Sequence, residues 1–308
     1  MSVNNQSISS QPKLRKVFSN SPVPWLIPLG IVLVFVFLYP VIEIVRLSFT
    51  DATLVSNEYS YTLDSYRKLF TSPGFLQMLT VTGIFVFLSI TFQIVFGFLV
   101  AIMIDQGEKR DLRGTVVTRT AVLTAWAIPG VIIGVIWKML YNETDAGIIN
   151  YLLSLVGIDT IPFLSDPEIS LFAVIFANVW RGTAFSMILI YAGLKTLPQD
   201  VIEAAKIDGA NAVQRALKVI LPILIPILLI NLVIISIDTF NTFDMVMALT
   251  GGGPGQSTEV ISLSIYNSIF NQFNLGQGAA TAVVLLVINI GMTVIYLLFL
   301  GKGDNNAK

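Results

Sequence analysis

Six long apolar runs are the feature that most constrains the fold of this 308-residue chain. Each is long enough for the roughly 20 helical residues that cross the hydrocarbon core of a bilayer. In lipid a single run satisfies its own backbone polar groups only as a helix, because strands need a closed barrel. We therefore predict an all-α integral membrane protein. Its six transmembrane helices are expected at 25–42, 78–104, 120–137, 169–194, 219–237 and 279–300.

Composition narrows the functional classes. Hydrophobic residues make up 55% of the chain and charged residues only 12%, about half the charged share of a soluble domain. The formal net charge of -1 gives no general attraction for nucleic acid. The chain contains neither cysteine nor histidine, which removes thiol nucleophiles, thiolate metal sites and the commonest general base. We predict no catalytic residue and no metal site.

The glycine-rich segment at 251–255 does not form a nucleotide site. A P-loop has the pattern G-x-x-x-x-G-K-S/T, in which the lysine contacts the phosphates. Here the spacing differs, and Gln256 stands in place of the lysine. We predict a tight turn at this segment and no nucleotide cofactor bound by this chain.

Lysine and arginine in the loops predict the orientation of the helices, because cytoplasmic loops carry an excess of both. Three such residues precede the first helix, and the loops at 105–119 and 195–218 hold four each. The loop at 139–168 and the stretch at 219–301 hold none, and the loop at 43–77 is mixed. We therefore place both termini and the two basic loops in the cytoplasm, with the remaining loops outside.

The apolar runs also divide the chain. We predict a disordered cytoplasmic tail at 1–20, a first transmembrane helix with its outer loop at 21–77, five spans at 78–299 and a second cytoplasmic tail at 300–308. Glycines interrupt the last apolar stretch, so we assign 261–273 to an interfacial helix that precedes the sixth span.

The basic loop at 195–218 has the pattern of two short helices joined by a turn. Asp200 is a candidate N-cap for the first helix, Gly209 allows a turn with positive φ, and the second helix is expected from about Asn211. Two small alanines beside a glutamate leave a narrow surface that fits a groove on a partner. From the pattern alone, an ordinary amphipathic surface helix is the favoured interpretation.

Sequence motifs in and after this loop point to one family. The loop contains Glu203-Ala204-Ala205 and Asp208-Gly209-Ala210, followed by Leu221-Pro222, and this pattern resembles the EAA loop of type I ABC importer permeases. The segment LTGGGPG at 249–255, with Ser257-Thr258 and Tyr266, resembles the carbohydrate-uptake branch. That branch includes the larger maltose permease and the glycerol-phosphate and multiple-sugar permeases. Ala216 departs from the bulky residue common in the family.

The resemblance implies the fold of those permeases, with a cytoplasmic coupling helix between spans four and five. It implies a subunit of an ATP-driven, binding-protein-dependent importer in the bacterial cytoplasmic membrane. The expected partners are a second homologous permease, two cytoplasmic ATPases that use ATP and Mg, an extracytoplasmic solute-binding protein and a sugar-like solute. The surface that docks on the ATPase would consist of Glu203, Ala204, Ala205, Asp208, Gly209 and Ala210.

Two other functions remain open. A related importer could carry a non-sugar solute, since the sequence does not specify the solute. A stand-alone secondary transporter is the other alternative, but it predicts carboxylates at the bilayer midplane and internal repeats. The apolar runs show neither feature.

Polar residues within and beside the fourth and fifth spans are candidates for a solute path. Ionisable groups are rare in the hydrocarbon and mark functional sites by default. Interhelical hydrogen bonding is the alternative role for each of them. The candidate path residues are Asn178, Trp180, Arg181, Asn231, Asp238, Asn241, Thr242 and Asp244.

Arg181 and Asp238 lie at matched depth. Each is sixteen residues from the cytoplasmic end of its span, which corresponds to about 24 Å at the helical rise. One hypothesis is an ion pair that joins spans four and five. The alternative is that Arg181 snorkels outward and Asp238 is solvated separately.

The third span contains a G-x-x-x-G pattern at Gly130 and Gly134, directly after Pro129. Small residues at this spacing allow helices to approach closely. The proline predicts a kink just before them.

Overall fold

The chain in the computed structural model is described from residue 23 to residue 305, apart from residues 57, 145 and 146. Side chains are described from residue 25 to residue 298 with the same gaps. The predicted tail at 1–20 and the last three residues of the tail at 300–308 lie outside the described residues.

Helices make up most of the described part of the chain, and three of them are followed directly by a π-helical turn. The turns are Leu33–Leu38 after α1, Ala216–Ile220 after α10 and Asn267–Asn271 after α13. The α-helices are α1 Val23–Val32, α2 Tyr39–Ser48, α3 Asp64–Thr71, α4 Pro73–Lys109, α5 Thr115–Ala127, α6 Gly130–Leu140, α7 Ile148–Ser154, α8 Pro167–Lys195, α9 Gln199–Ile207, α10 Ala212–Arg215, α11 Leu221–Phe240, α12 Asp244–Leu249, α13 Ile261–Tyr266 and α14 Leu275–Asn305.

Five continuous stretches of helix are long and apolar enough to cross a membrane, and they confirm five of the six predicted spans. Each contains the greater part of a predicted run, and the last helix continues past the predicted start of the C-terminal tail to Asn305. The stretches are Trp25–Ser48, Pro73–Lys109, Pro167–Lys195, Ala212–Phe240 and Leu275–Leu298.

The third predicted span is not one continuous helix, and the prediction of a single helix at 120–137 was wrong. Helices α5 and α6 meet at an angle of 104° across a short break. Ile128, which precedes Pro129, adopts an extended conformation with φ -77 and ψ 131. A residue before proline is driven out of the helical region by the proline ring, so the kink becomes a break between two half-helices.

The G-x-x-x-G pattern lies on the second half-helix and confirms the predicted close approach. A Cβ on Gly134 would lie 2.6 Å from the carbonyl oxygen of Met245 and 2.7 Å from the Cβ of Ala248. Gly130 lies equally close to the carboxylate of Asp244. Both neighbours belong to α12, so the pattern packs two short helices of the same chain against each other.

Helices α4 and α8 form the centre of the fold. Phe85 of α4 and Val174 of α8 are fully buried in the largest apolar cluster, which α6, α11 and α12 complete. Helix α2 packs against α14, while Trp25 of α1 is 87% exposed. The predicted helix at 261–273 is present as α13 with its π-helical turn, and its first residues are buried between α4 and α14.

Candidate functional site

The basic loop forms the two helices that the sequence predicts, with one difference at the first cap. Pro198, not Asp200, occupies the N-cap position of α9, and Asp200 lies inside the first turn. The predicted N-cap role of Asp200 was therefore wrong. Pro198 has the extended conformation of a cap residue, and a carboxylate in the first turn still interacts favourably with the helix dipole.

The turn and the second helix agree with the prediction. Gly209 has φ +79, a conformation that glycine adopts at no steric cost. Asn211 caps α10 in a reciprocal pair with Gln214: each side-chain oxygen accepts the backbone N–H of the other residue, at 2.8 and 2.9 Å. Arg215 donates to the carbonyl oxygen of Ala210 at 2.6 Å, which fixes the two helices relative to each other.

The loop presents its motif residues outward from a buried anchor. Ile202 is 8% exposed and packs with Ile104, Leu194 and Leu197. The motif residues form the open surface of α9 and the turn after it. Glu203, Ala204, Asp208 and Gly209 are exposed, and Ala205 and Ala210 are half-buried.

Two apolar side chains that sequence reasoning missed extend this open surface. Ile207 is 86% exposed and Val213 is 66% exposed. An isolated exposed apolar residue is ordinary, but these two flank the same turn at Gly209. Their spacing around the turn was visible in the sequence and could have marked them as docking candidates.

A charge cluster, defined by Asp105, Glu108, Arg119, Tyr191 and Lys195, lies beneath the loop helices. Lys195 donates to Asp105 at 3.0 Å and lies 2.9 Å from Glu108. The Tyr191 hydroxyl donates to Glu108 at 2.5 Å, and Arg119 lies 3.5 Å from the same carboxylate. The cluster ties the ends of α4, α5 and α8 together where the basic loop begins.

A polar cavity of about 80 Å³ lies between α4, α5, α8 and α11. It combines charged and amide groups with aromatic rings, and the rings of Trp126 and Phe185 are 5.6 Å apart. The side chains that define the cavity are Gln93, Trp126, Arg181, Phe185, Ile234 and Asp238.

Arg181 and Asp238 meet at the polar cavity but stay unpaired. Among the described residues, the ion pairs within 4.0 Å join other groups and include neither of them. The Nε of Arg181 is buried without a hydrogen-bond partner. Both residues thus line one cavity, as matched depth requires, whereas the predicted ion pair is absent from this conformation.

Asn178 and Asn231 lie in the helix contacts behind the cavity. The carbonyl oxygen of Asn178 accepts a bond from Gln93 at 3.2 Å, and the Asn231 side-chain oxygen accepts one from Ser186 at 3.5 Å. The Nδ2 atoms of both asparagines are buried without partners. Interhelical hydrogen bonds therefore satisfy only some of the polar groups of the two asparagines, and both Nδ2 donors stay free.

Like Asn178 and Asn231, the other four candidate path residues do not line the polar cavity. Trp180 faces a separate apolar groove and packs edge-on against Trp137 at 5.9 Å. Asn241 is exposed and donates to the carbonyl of its own helix, while buried Thr242 accepts a bond from Ser262 at its backbone carbonyl. Asp244 begins α12 beside Gly130. Their positions fit packing and capping roles.

The side chains that line the cavity beside Arg181 and Asp238 include Gln93, Trp126 and Phe185. Phe185 lies one helical turn after Arg181 on α8, a spacing that the sequence shows. Trp126 lies in the last turn of α5, which ends at Ala127, and the sequence predicted a kink there but not a full break. Helices of this length around a polar cavity, with an exposed loop at one end, define a membrane transport subunit.

Comparison with known proteins gives the family. The model of the family described as "binding-protein-dependent transport system inner membrane component" matches residues 93–301. The trehalose/maltose transport system permease protein of Thermococcus litoralis is 34% identical over 270 residues, which cover 87% of this chain and 89% of that protein. The sn-glycerol-3-phosphate transport system permease protein of Pectobacterium atrosepticum is 30% identical over 299 residues, with 94% and 98% covered.

A solved structure shows the same fold. A chain from the crystal structure of a bacterial ABC transporter involved in the import of the acidic polysaccharide alginate has a TM-score of 0.81 and 22% identity, and the match covers 94% of this chain and 99% of that one. The chain belongs to the family of binding-protein-dependent transport system inner membrane components. It is a multi-pass permease with the type I ABC importer fold, and this family is not itself catalytic.

Proposed function

We propose that this chain forms one half of a sugar path in an ATP-driven, binding-protein-dependent importer of the cytoplasmic membrane. The polar cavity between α4, α5, α8 and α11 is the observation that carries the proposal. Neither Arg181 nor Asp238 is in an ion pair with another described residue there, and the Nε of Arg181 has no hydrogen-bond partner, so both charged groups can bond a solute with aromatic rings beside them. The solute would cross by alternating access, with both termini and the basic loop on the cytoplasmic side.

The chemistry of the cavity supports a sugar or sugar derivative. Arg181 donates and Asp238 accepts hydrogen bonds, and a sugar hydroxyl does both. The rings of Trp126 and Phe185 supply the apolar faces that pack against a sugar ring. Relatives are described as permeases for trehalose/maltose, sn-glycerol-3-phosphate and sulfoquinovosyl glycerol, all of which are hydroxyl-rich solutes. A non-sugar solute is the alternative, and transport assays distinguish it from a sugar.

The basic loop is proposed to couple the path to ATP. Its exposed surface, Glu203, Ala204, Ala205, Asp208, Gly209 and Ala210, would enter a groove of a cytoplasmic ATPase. The chain has no P-loop sequence, so two partner ATPases would bind and hydrolyse ATP with Mg. The charge cluster at the base of the loop would transmit the movement to α4 and α8.

Two further partners complete the proposed importer. A second homologous permease would supply the other half of the path, because the polar cavity of this chain encloses only about 80 Å³. An extracytoplasmic solute-binding protein would dock on the outer loops and deliver the solute. A solved alginate transporter was crystallised with its alginate pentasaccharide-bound periplasmic protein, which supports such a partner.

Reconstitution in vesicles tests the proposed function. The chain with its second permease, the ATPases and the binding protein should take up labelled maltose, trehalose or a related sugar only when ATP is supplied. A variant with Gly209→Val should fold but lose uptake, because the turn that shapes the coupling surface needs φ +79. Gly114→Val is the control, since Gly114 has φ +99 in a loop outside the coupling surface. Sugar uptake by this chain alone, without ATPases, would overturn the proposal and favour a secondary transporter.

A further inference from the structure

A second pocket, here named the outer pocket, shares no lining residue with the polar cavity. It encloses about 110 Å³ where the start of α4 meets α13, its π-helical turn and the start of α14. By the distribution of lysine and arginine, these segments all lie on the outer side. The side chains that matter for its chemistry are Ser72, Phe75, Gln256, Glu259, Ser268 and Gln272.

The polar groups of the outer pocket are mostly uncommitted. Glu259 accepts one long bond, from Asn267 at 3.4 Å. Among the described residues, its second carboxylate oxygen and the side-chain amides of Gln256 and Gln272 form no hydrogen bond. A concave site with free acceptors around one carboxylate suits a cation that donates several hydrogen bonds.

Hydrogen bonds hold the glycine-rich loop that forms one side of the outer pocket. The backbone of the glycine-rich segment closes on itself through the Thr258 hydroxyl, which donates to the carbonyl oxygen of Gly253 at 2.8 Å. Gln77 of α4 reaches across to the carbonyl oxygen of Gly255 at 3.3 Å. Glu259 directly follows this closed loop, so its backbone is held at the pocket and less ordering is left to occur on binding.

The charge of the whole outer face indicates the sign of the partner. The loops at 49–72, 141–166 and 241–274 contain nine aspartates and glutamates but only two lysines and arginines. A surface of this sign attracts a basic partner surface and repels an acidic one. Among the residues that the structure describes, Glu259 is the one carboxylate on this face that also lines the outer pocket.

We propose that the outer pocket receives a lysine or arginine side chain of the extracytoplasmic solute-binding protein. Its positive end bonds Glu259 and the free amides of Gln256 and Gln272, and its methylene stem lies along Phe75. The surrounding acidic loops steer the basic face of the binding protein toward the pocket. The proposal rests on the proposed function, because it assigns a docking contact to the same importer.

The test measures how much binding protein the assembled importer needs. In the complete complex in nanodiscs, ATPase activity is titrated with sugar-loaded binding protein. Glu259→Gln should raise the half-saturating concentration about tenfold, while the rate at saturation stays native. Asp159→Asn, which removes an exposed outer carboxylate outside the pocket, should change that concentration less than twofold. Gln272→Met, at an exposed pocket position, should act in the same direction as Glu259→Gln and guards against misfolding of that variant.

A charge-swap experiment identifies the partner residue. Glu259→Lys should abolish stimulation, and replacement of one basic residue on the binding protein by glutamate should restore it. If Glu259→Gln and Gln272→Met leave the half-saturating concentration unchanged, the outer pocket is not the docking contact. A change in the KM for sugar without a change for binding protein would also overturn the proposal, because it would mark a solute subsite. Failure of the native complex to respond to any binding protein would instead overturn the proposed function.

Discussion

Single glycines set the distance between the two central helices. A Cβ on Gly97 would lie 2.5 Å from the Cβ of Ser186 and 2.9 Å from the backbone nitrogen of Met187. The backbone atom has no rotamer by which to move away. Gly182 of α8 likewise lies directly against the Gln93 side chain. In lipid, such close packing replaces the hydrophobic force that joins helices in water.

Gly97→Ala should therefore destabilise the protein by about 1–3 kcal/mol, the usual cost of overpacking. Gly83→Ala on the same helix is the matched control, because nothing lies within 4 Å of its added Cβ. Thermal unfolding of both variants in detergent measures the difference. Equal transition temperatures for the two variants would show that α4 and α8 do not pack at the distance described.

For single residues, the sequence predicted the position along a helix better than the direction in which the side chain points. Equal spacing from the helix ends placed Arg181 and Asp238 at one level, and both line the polar cavity. Trp180 precedes Arg181 by one position, so it points about 100° away around the helix and faces another groove. Trp126 was missed because it belongs to α5, whereas the candidate path residues were taken from the fourth and fifth spans.

At the scale of elements, the break between α5 and α6 is the main departure from prediction. Pro129 was a visible signal for a kink. The angle of 104° also requires a partner for α6, which is the short helix α12 packed on Gly130 and Gly134. Helix α12 follows the fifth span in sequence, so no local pattern around residue 130 could predict the contact.

The Glu143 carboxylate ties together the two ends of the segment between α6 and α8. Glu143 accepts bonds from the backbone nitrogens of Leu164 and Ser165 and from the Ser165 hydroxyl, at 2.9, 2.9 and 2.7 Å. Partial burial alone would raise the pKa of Glu143, but these three bonds outweigh it and lower the pKa below its usual 4.5. A carboxylate with a lowered pKa in the folded state stabilises fully above its usual pKa and loses that contribution as the pH falls through the lowered value.

Protection of the Leu164 and Ser165 amides from hydrogen exchange should therefore drop as the pH falls below 4.5. In Glu143→Gln the protection should be weaker at neutral pH and should no longer depend on acid, because the amide side chain does not titrate. Asp159→Asn, an exposed residue of the same segment, serves as the control. Protection in the native chain that is independent of pH over this range would contradict the assignment.

The charge cluster joins α4, α5 and α8, and the sequence analysis did not predict this contact. Lys195 bonds Asp105, whose side chain is only 8% exposed, so loss of the lysine leaves a largely buried carboxylate with fewer partners. Lys195→Met should cost about 1 kcal/mol, since the lysine is partly exposed and Lys109 still pairs with Asp105. Lys218→Met is the control at an exposed position. Equal unfolding temperatures for Lys195→Met and Lys218→Met would show that the cluster does not stabilise the fold.

For the whole molecule, the apolar runs and the loop motif predicted the class, the fold and most of the helices. They did so because span length and the EAA spacing are local properties of the chain. The polar cavity was not predictable as a set, because four helices supply its side chains and one of its two aromatic rings lies on the broken span. Much of the remaining apolar surface is exposed, including a groove of about 620 Å³ between α4 and α11, as expected for a chain surrounded by lipid and partner helices.

Labelling of a single cysteine tests most directly whether the polar cavity is the sugar path. The chain has no native cysteine, so Ile234→Cys places a unique thiol at the cavity. Ile230→Cys, one turn earlier on α11 with similar exposure, is the control outside it. In a complete importer whose other subunits lack reactive cysteines, transported sugar should slow thiol modification at 234 but not at 230. Equal rates at 234 with and without sugar, in a complex that transports, would contradict the path.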